Sequence, residues 1–544
     1  MANLTIWAVL AIPILLILQR ISRIGQRPKG YPPGPPTLPL IGNLHQLQKE
    51  KNHLLFQKWA KEYGPVYSLV LGSRVVIVLN TDQAVKDLLD KRSSIYSSRP
   101  ELYLGQGIVS GGFRMLLMVY GETWRMIRKV VHNSLNIKAA RSYVPYQDLE
   151  NKAMLVGFLD EPARFTDHIR RYTNSLTTQM IFGFRTISVD DPKLKQLYSN
   201  FENFSEVVGH RTAALADIFP LIRYLPDVLL PLRRHAKELH RREVDLFVGL
   251  YRETKRKLKE GTAKPCICAD LVRAQEIEGF SDGLAGYTSG SLLEAGSDTT
   301  AATLIGFVQA LLCFPEVVPL AQAELDRVCG DRVPDFDDLP NLPYIRGVIK
   351  ESFRWMPTDI LGVPHAAIRD DEYLGYRIPA GAEVVYNVWA IAHDPERHPD
   401  PERFDPARWA HDSQTSAEAA NFQDASKRDH FVFGAGRRLC QGMHIADRSL
   451  FLGVSRLLWA FDFRRAVDEE TGREIVPDMR ELTEGLFVQP KPFPADIRPR
   501  SEHKAQRVRE EWSKMGELLD AEMQWKAIPE GMVWKDYEPG EVEK

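Results

Sequence analysis

The chain has 544 residues, of which 44% are hydrophobic and 26% are charged, and a chain of this size buries enough apolar surface to fold without disulfides or structural zinc. Its 70 basic and 72 acidic residues give a net charge of −2, which argues against a protein that binds nucleic acid, since such proteins usually carry a basic excess. Five irregularly spaced cysteines exclude a disulfide framework and indicate a reducing compartment for most of the chain.

The amino terminus is an uncharged, almost entirely apolar run from Ala2 to Leu18. As a helix this run would be about 25 Å long, slightly less than the ~30 Å hydrocarbon layer of a bilayer. Basic residues follow the run instead of preceding it, namely Arg20, Arg23, Arg27 and Lys29. This order favours an uncleaved, single-pass transmembrane anchor over residues 1–24, with the body of the chain in the cytosol. A cleaved signal peptide is the alternative, and a glycan on Asn203, which lies in an Asn-Phe-Ser sequon, would overturn the cytosolic topology.

The body of the chain is predicted to be mainly α-helical, with small β-sheets. Prolines between Tyr31 and Pro39 cannot continue a helix, so residues 25–45 are interpreted as an extended, semi-rigid hinge. Helical patterns dominate from about Thr81 to Met356. Short strands are predicted at Val66–Leu71, Val75–Leu79, Glu383–Val388 and Leu486–Gln489.

Residues 501–544 form a tail with a character of its own. Its apolar residues recur at helical spacing on one face, and these are Val508, Trp512, Met515 and Leu519. The pattern predicts a tail helix that packs on the body, and a partner-binding helix is the alternative.

The most informative local signal surrounds Cys440, in the run Phe433-Gly-Ala-Gly-Arg-Arg-Leu-Cys-Gln-Gly442. Its glycines permit tight turns and the close approach of a flat ligand. A helix is predicted from Met443 to Phe461, so Cys440 lies just before a helix start, where backbone N–H groups favour the thiolate. Such a thiolate, shielded by Phe433, is suited to bind a haem iron as its axial ligand. A buried structural cysteine is the alternative, whereas a dinucleotide-binding loop fails because the sixth position of its motif is Leu439.

This run matches F-x-x-G-x-R-x-C-x-G at every fixed position, and at this point the chain resembles the cytochrome P450 family. The resemblance covers about residues 31–500. It implies an α+β, mainly α cytochrome P450 fold in which haem b (iron protoporphyrin IX) lies between a long central helix and the Cys440 loop. It also implies that residues 46–500 form the catalytic domain.

A second motif, Glu351-Ser-Phe-Arg354, matches the E-x-x-R of the family, and at this spacing the two side chains are neighbours on a helix. Pro401-Glu-Arg-Phe404 looks like the PERF segment of the family. The resemblance implies that Arg403 joins Glu351 and Arg354 in a buried charge network that helps to retain haem.

A long apolar helix is predicted from Asp282 to Phe314, and it contains Ala295-Gly-Ser-Asp-Thr-Thr300. An acid followed by a hydroxyl residue competes with helical hydrogen bonds, and such a local conflict is where function is expected. The segment matches the A-G-x-D/E-T-T/S pattern of the family, which implies that Asp298 and Thr299 help to deliver protons during oxygen activation. A buried pair that stabilises a bend is the structural alternative, and Glu294 either extends the polar relay or lies outside it.

Haem carries two propionates, which need cationic or hydrogen-bonding partners. By resemblance, these partners are Trp124, Arg128, His365 and Arg438. Three further basic residues would lie near the face used by a reductase, namely Arg125, Lys129 and Arg437, although a generic solvated patch explains them equally well.

The resemblance places the substrate pocket on five segments rich in apolar residues, namely Tyr103–Met118, Leu197–Phe219, Leu293–Ala295, Thr358–Val363 and Glu484–Phe487. Asp359 and Glu484 are their polar exceptions. An apolar small molecule is therefore the expected substrate. Cys266 and Cys268 lack a second pair of ligands at zinc-like spacing, so free thiols are expected there.

The resemblance implies a haem-thiolate monooxygenase that inserts one oxygen atom from O2 into a C–H or C=C bond. Electrons are expected from NADPH through a separate cytochrome P450 reductase, and the enzyme is expected in the endoplasmic reticulum membrane. In its general character, the sequence is similar to those of fungal enzymes of secondary metabolism. Two alternatives stay open: a haem-thiolate isomerase or dehydratase that needs no reductase, and a non-catalytic haem-binding protein.

Overall fold

The computed structural model describes residue 19 and residues 22–532. The predicted membrane anchor lies almost entirely outside these residues, as does the end of the tail. Within the described part, no single helix is long and apolar enough to cross a membrane. The helices Asp282–Cys313 and Val317–Cys329 reach that length and composition only as a pair, which is bent by 112°.

Helices make up most of the described chain, and we number them in order. The first nine are α1 (Asn52–Tyr63), α2 (Asp82–Val85), α3 (Ser93–Tyr96), α4 (Glu122–Leu135), α5 (Ile137–Ser142), α6 (Val144–Asp160), α7 (Phe165–Phe182), α8 (Pro192–Gly209) and α9 (Arg211–Ile218). The others are α10 (Pro231–Lys259), α11 (Ile267–Glu278), α12 (Asp282–Cys313), α13 (Val317–Cys329), α14 (Pro343–Trp355), α15 (Val388–Ala392), α16 (Ser416–Asn421), α17 (Met443–Ala460) and α18 (Glu502–Gly516).

The strands form one small mixed sheet and two hairpin-like pairs. They are β1 (Val66–Leu71), β2 (Arg74–Leu79), β3 (His365–Ala366), β4 (Asp371–Tyr373), β5 (Tyr376–Ile378), β6 (Glu383–Tyr386), β7 (Phe461–Arg465) and β8 (Ala495–Pro499). The sheet has the order β1-β2-β6-β3, in which only the β2–β6 pair is parallel. The β4–β5 and β7–β8 pairs are antiparallel.

Helix α12 runs through the core. It begins where the Ser281 side chain accepts a hydrogen bond from the backbone N–H of Leu284, and it ends two residues before Pro315, as expected for a residue that cannot continue a helix. It packs along α7 and α10. A Cβ atom at Gly290 would come within 2.2 Å of the Phe247 ring on α10, and one at Gly296 within 2.8 Å of Thr177 on α7. Glycine at these positions therefore lets the three helices approach closely.

The structure corrects one predicted strand and shortens another. Residues Leu486–Gln489 form no strand, because the chain turns there: the Thr483 N–H donates to the Gln489 carbonyl at 2.8 Å, and a single bridge joins Leu482 to Pro490. Proline at 490 has no N–H with which to extend a ladder. The predicted strand Glu383–Val388 ends at Tyr386 and passes directly into α15.

The tail lies against the body. Helix α18 buries Val508 in the same cluster as the core side chains of α12 and α17. Beyond the helix, Leu519 and Trp525 are buried in a second cluster with residues of α4, α7 and α11. The Trp525 indole N–H donates to the Gln179 side chain at 2.6 Å, so the tail residues up to 532 are held by packing and by a buried hydrogen bond.

Candidate active site

The loop that carries Cys440 is held by tight turns. The backbone N–H of Cys440 donates to the Phe433 carbonyl at 2.8 Å, which closes the loop on itself. Gly434 and Gly436 both have positive φ, at 77° and 58°, a conformation that glycine adopts without strain. A Cβ atom at Gly436 would lie 2.0 Å from the Leu89 carbonyl oxygen. Glycine is therefore required at 436 both by the turn and by the neighbouring backbone.

Cys440 lies three residues before α17, as the sequence predicts, and its side chain forms part of a cavity wall. Burial raises the pKa of its thiol. The backbone N–H of Gly442, the charge of Arg128 and the backbone N–H of Met443 act in the opposite direction. The Phe433 ring also lines the cavity and contacts Phe353, with ring centroids 5.2 Å apart.

The cavity has a volume of about 270 Å³. Part of its wall comes from small residues of α12, namely Ala295, Gly296 and Thr299. Each of the five segments assigned to the substrate pocket contributes at least one residue: Arg114, Met115, Leu116, Phe201, Phe204, Glu294, Ala295, Thr358, Asp359, Val363 and Phe487. Glu484 does not line the cavity, because it is exposed and accepts the backbone N–H of Lys51 at 3.3 Å. Residues of α7, including Leu176 and Met180, also line the cavity, and the sequence analysis missed them.

A cluster of buried cations lies at another part of the wall. The Arg438 guanidinium stacks 4.1 Å from the Trp124 ring centre and donates to the Ser97 and Met118 carbonyls at 2.8 and 2.6 Å. Arg128 donates to the Leu439 carbonyl and lies 5.5 Å from the same ring centre. The structure thus brings together all four residues predicted to bind haem propionates, with His365 as the fourth member.

The structure adds Arg99 to this cluster. Its guanidinium is buried, lines the cavity and donates to the Val363 and Pro364 carbonyls at 2.6 and 2.7 Å. Sequence reasoning missed it because its partners are backbone carbonyls, which no side-chain pattern marks. His365 has its Nδ1 at 2.7 Å from the Tyr96 carbonyl, and burial lowers the pKa of its imidazole.

The comparisons with known proteins agree with this geometry. The family model "Cytochrome P450" matches residues 32–493 of the chain. The chain is also 60% identical over 534 residues to cytochrome P450 monooxygenase virE from Hypocrea virens, with 98% of this chain and 97% of that protein covered.

The chain belongs to the cytochrome P450 family. It is a haem-dependent monooxygenase. Another relative is cytochrome P450 monooxygenase fogE from Aspergillus ruber, which is 57% identical with 98% of both chains covered. A third is fsoB from Humicola fuscoatra, at 50% identity with 97% of this chain and 98% of that protein covered.

A solved structure of a zebrafish cytochrome P450 with progesterone has the same fold. It matches with a TM-score of 0.67 and 25% identity, and the match covers 83% of this chain and 100% of that one.

The residues of the cavity fit the haem of the family. The three guanidiniums of Arg99, Arg128 and Arg438 form no ion pair with a carboxylate among the residues that the structure describes. Burial lowers the pKa of Arg438 to about 8, with further contributions from the charges of Arg99 and Arg128. Buried, mutually repelling cations of this kind call for anions, and two propionates meet that need. Cys440 would supply the iron ligand.

The predicted acid and hydroxyl of α12 lie in different surroundings. Thr299 lines the cavity, and its hydroxyl donates to the Ala295 carbonyl at 2.8 Å. Asp298 does not line the cavity. Burial raises the pKa of its carboxyl to about 6, while the nearby charge of Arg170 lowers it and that of Glu202 raises it. Asp298 therefore lies on a side of α12 that faces charged residues of α7 and α8.

The predicted buried charge network at α14 is present, but the prediction that the Arg403 side chain belongs to it is wrong. The Arg354 guanidinium binds the Glu351 carboxylate through two hydrogen bonds, of 2.8 and 2.6 Å, and both side chains are fully buried. Arg403 contributes only its backbone carbonyl, which accepts from Arg354 at 3.0 Å. Its side chain is 55% exposed and lies 3.6 Å from Glu316.

The place expected for Arg403 is taken by Arg408, whose Nε lies 3.3 Å from Glu351. The Trp409 indole N–H donates to the same carboxylate at 2.9 Å, and so does the backbone N–H of Asp405. The physical reason is the turn after Pro401, which directs the backbone of residue 403 inward and its side chain outward, and the 3₁₀ helix Pro406–Trp409 then returns to the network.

Proposed function

We propose that this cytochrome P450 inserts one oxygen atom from O2 into a C–H or C=C bond of an apolar organic substrate. The observation that carries this proposal is a largely apolar cavity with Cys440 in its wall and Thr299 of α12 in the same wall. Haem, when bound, supplies the redox chemistry that activates O2. The apolar side chains of the cavity would bind the substrate and exclude water.

Asp298 and Thr299 are suited to move protons. A carboxyl with a pKa of about 6 both takes up and releases a proton near neutral pH, as a proton carrier must. The Thr299 hydroxyl is one residue further along the helix and on the cavity wall. We infer that Asp298 holds a proton that passes to the cavity by way of Thr299. Replacing Asp298 by Asn is expected to lower the amount of product formed per NADPH consumed.

A separate NADPH-dependent reductase is the proposed source of electrons. Arg125, Lys129 and Arg437 are exposed beside the Cys440 loop, and the Arg437 guanidinium donates to the Tyr120 hydroxyl at 2.7 Å. Because α4 contacts this loop through Arg128, an acidic partner docked here would lie close to Cys440. Reversal of these three charges is expected to slow reduction by the reductase at low salt. The same reversal at three exposed basic residues elsewhere, namely Lys49, Lys58 and Lys259, is the matched control.

Attachment to the endoplasmic reticulum membrane through an amino-terminal helix, with the catalytic domain in the cytosol, is also part of the proposal. The Gly25 N–H donates to the Gly72 carbonyl at 3.0 Å, and the hydroxyl of the adjacent Ser73 donates to the Ile218 carbonyl at 2.6 Å. The segment after Ile218 exposes large apolar side chains, namely Leu221, Tyr224, Val228 and Leu229. One face of the body therefore carries both the start of the described chain and an exposed apolar segment, which suits contact with a bilayer.

A role in fungal secondary metabolism is supported by the fungal origin of the three relatives named above. The test is to express the chain with a reductase in a fungal host and to compare its metabolites with those of a host that carries Cys440→Ala. A product that is heavier by one oxygen atom, labelled from isotopic O2 and dependent on NADPH, is expected only with Cys440 present. A product without the label would refute the oxygen-insertion reaction.

A further inference from the structure

One corner of the cavity wall contains a buried cluster of three charged side chains. The Arg114 guanidinium lies 2.6 Å from the Glu243 carboxylate and also contacts the Glu294 carboxylate. The exposed fractions of the three side chains are 2%, 0% and 4%. Two carboxyl groups therefore share one guanidinium, and all three side chains are buried from bulk solvent.

Only part of this cluster faces the cavity. Arg114 and Glu294 line the wall, whereas Glu243, on α10, does not. The Glu294 Oε1 atom has no hydrogen-bond partner among the residues that the structure describes. Leaving such an atom unpaired inside a protein costs about 1–3 kcal/mol, so a hydrogen bond from a ligand group that reaches it would be favourable.

The other polar atoms nearby divide into two kinds. The hydroxyls of Thr177, Thr299 and Thr303 line the cavity, but each donates to a carbonyl of its own helix, at 2.6, 2.8 and 3.0 Å. Ser291, three residues before Glu294 and thus on the same face of α12, lines the cavity and leaves its hydroxyl unpartnered in the described structure. Ser291 and Glu294 together form one polar corner of the cavity wall.

Burial of Glu294 favours its neutral form. Burial raises the pKa of its carboxyl to about 8, with opposition from Arg114 and further increases from Glu243 and Asp298. A carboxylic acid that keeps its proton at neutral pH is a hydrogen-bond donor. With Glu294 neutral and Glu243 ionised beside Arg114, the net charge of the cluster would be zero.

We propose that Glu294, held in place by Arg114, donates a hydrogen bond to an oxygen atom of the substrate, a carbonyl or a hydroxyl, and thereby orients an otherwise apolar molecule in the cavity. The substrate class is thus an apolar compound with one oxygen function at the end that meets this corner. The inference rests on the proposed function only in treating the cavity as the substrate site.

The test uses three ligands with the same bicyclic carbon skeleton: tetralin, 1-tetralol and 1-tetralone. Their dissociation constants from the haem-loaded protein are measured by equilibrium dialysis, without reductase or turnover. The ratio of the tetralin constant to the 1-tetralone constant is then compared between variants, because this ratio cancels effects on the shared skeleton. A single hydrogen bond is worth about 1 kcal/mol, so Glu294→Leu is expected to lower the ratio about fivefold.

Glu294→Gln is expected to retain most of the preference, because its amide N–H also donates. Thr177→Val, which changes the same wall without removing a free donor, is the matched control and should leave the ratio unchanged. In the wild-type protein, the infrared carbonyl band of bound 1-tetralone should lie at lower wavenumber than in hexane. This last readout needs no variant and applies even if Glu294→Leu folds poorly.

Three results would overturn the proposal. The first is an unchanged ratio in Glu294→Leu together with an unshifted carbonyl band. The second is a loss of preference in Asp359→Asn instead, since Asp359 is another carboxyl of the wall with an unpartnered oxygen. The third concerns a cationic ligand, the 1-trimethylammonium derivative of tetralin. If this ligand binds tightly to the wild-type protein and Glu294→Gln abolishes the binding, Glu294 is a charged carboxylate and not a neutral donor. None of these measurements depends on electron transfer or oxygen insertion, so a failure of the proposed function leaves them interpretable.

Discussion

Replacing Arg408 by Ala is expected to destabilise the protein far more than replacing Arg403 by Ala. Arg408 is 13% exposed and donates to the Glu351 carboxylate at 3.3 Å, to the Asp400 carbonyl at 2.7 Å and to the Pro399 carbonyl. At about 1 kcal/mol for each of the two bonds to carbonyls and about 1.5 kcal/mol or more for the bond to the carboxylate, its loss costs about 3.5 kcal/mol or more.

Arg403 is the matched comparison because it is also an arginine of the same loop. It lies four residues after Pro399, whose carbonyl accepts a hydrogen bond from Arg408. Its guanidinium is 55% exposed, and its ion pair with a glutamate that is 53% exposed has an N–O distance of 3.6 Å. Exposed pairs of this kind contribute between zero and about 1 kcal/mol. Its contribution to the buried network is a backbone carbonyl, which alanine retains.

The assay is urea unfolding of the haem-loaded proteins, followed both by haem absorption and by circular dichroism. Coincident transitions allow the midpoints to be converted into free energies. Glu351→Ala provides the upper limit, since it leaves the Arg354 guanidinium buried without its carboxylate and costs about 3–5 kcal/mol out of a total stability of about 5–15 kcal/mol. If Arg403→Ala lowers the free energy of unfolding by as much as Arg408→Ala or by more, this assignment of the network is refuted.

Three further predictions concern other parts of the chain. Gly436→Ala should lower the haem content, and it should reduce the free energy of unfolding by more than Gly381→Ala, for which about 1–2 kcal/mol is expected. Both glycines have positive φ, but only a Cβ atom at 436 would meet a backbone oxygen, at 2.0 Å. Trp525→Ala should cost about 3–5 kcal/mol in urea unfolding, whereas Ile528→Ala, at a residue 46% exposed, should change stability by less than about 0.5 kcal/mol. Burial lowers the pKa of His53 to about 4, below the ~6.5 of an unfolded chain. Its neutral ring therefore contributes stability that is complete above pH 6.5 and is lost as the pH falls toward 4. His53→Phe should remove up to about 1.4 kcal/mol per pH unit from the acid dependence of unfolding.

Each of these three predictions has a contrary outcome. Equal haem content in the two glycine variants would show that the loop tolerates a shift of its neighbour. A stability of Trp525→Ala that matches that of Ile528→Ala would show that the tail does not contribute to folding of the body. An unchanged pH slope in His53→Phe would mean that His53 titrates normally in the folded protein.

The parts of the site that are close in sequence were predictable, because local geometry alone brings them together. Cys440 and the start of α17 are three residues apart, and Glu351 and Arg354 are one turn apart on a helix. The helix α12 was predicted to within one residue at its end, since Pro315 fixes where it stops. The cluster of Trp124, Arg128, His365 and Arg438 was reached through the family resemblance, and spacing alone would not have found it.

The parts that sequence reasoning missed depend on how the backbone turns. Whether Arg403 or Arg408 binds Glu351 is decided by which of the two points inward after Pro401, and both are arginines beside prolines and acids. Arg99 has carbonyl groups as its partners, and a carbonyl is available at every residue, so no side-chain pattern marks the contact. The predicted strand Leu486–Gln489 has the composition of a strand, but its neighbour Pro490 has no N–H with which to extend a ladder.

Burial has opposite effects at two parts of the cavity wall. Near Cys440 it lowers the pKa of Arg99 and of Arg128 to about 10 each, and that of Arg438 to about 8. On α12 it raises the pKa of Glu294 to about 8. The cationic part favours a bound dianion, and the acidic part supplies donors to neutral oxygen atoms. Binding of haem propionates therefore relieves a repulsion that the folded chain otherwise carries, so haem should stabilise the folded state by more than its apolar contacts alone provide.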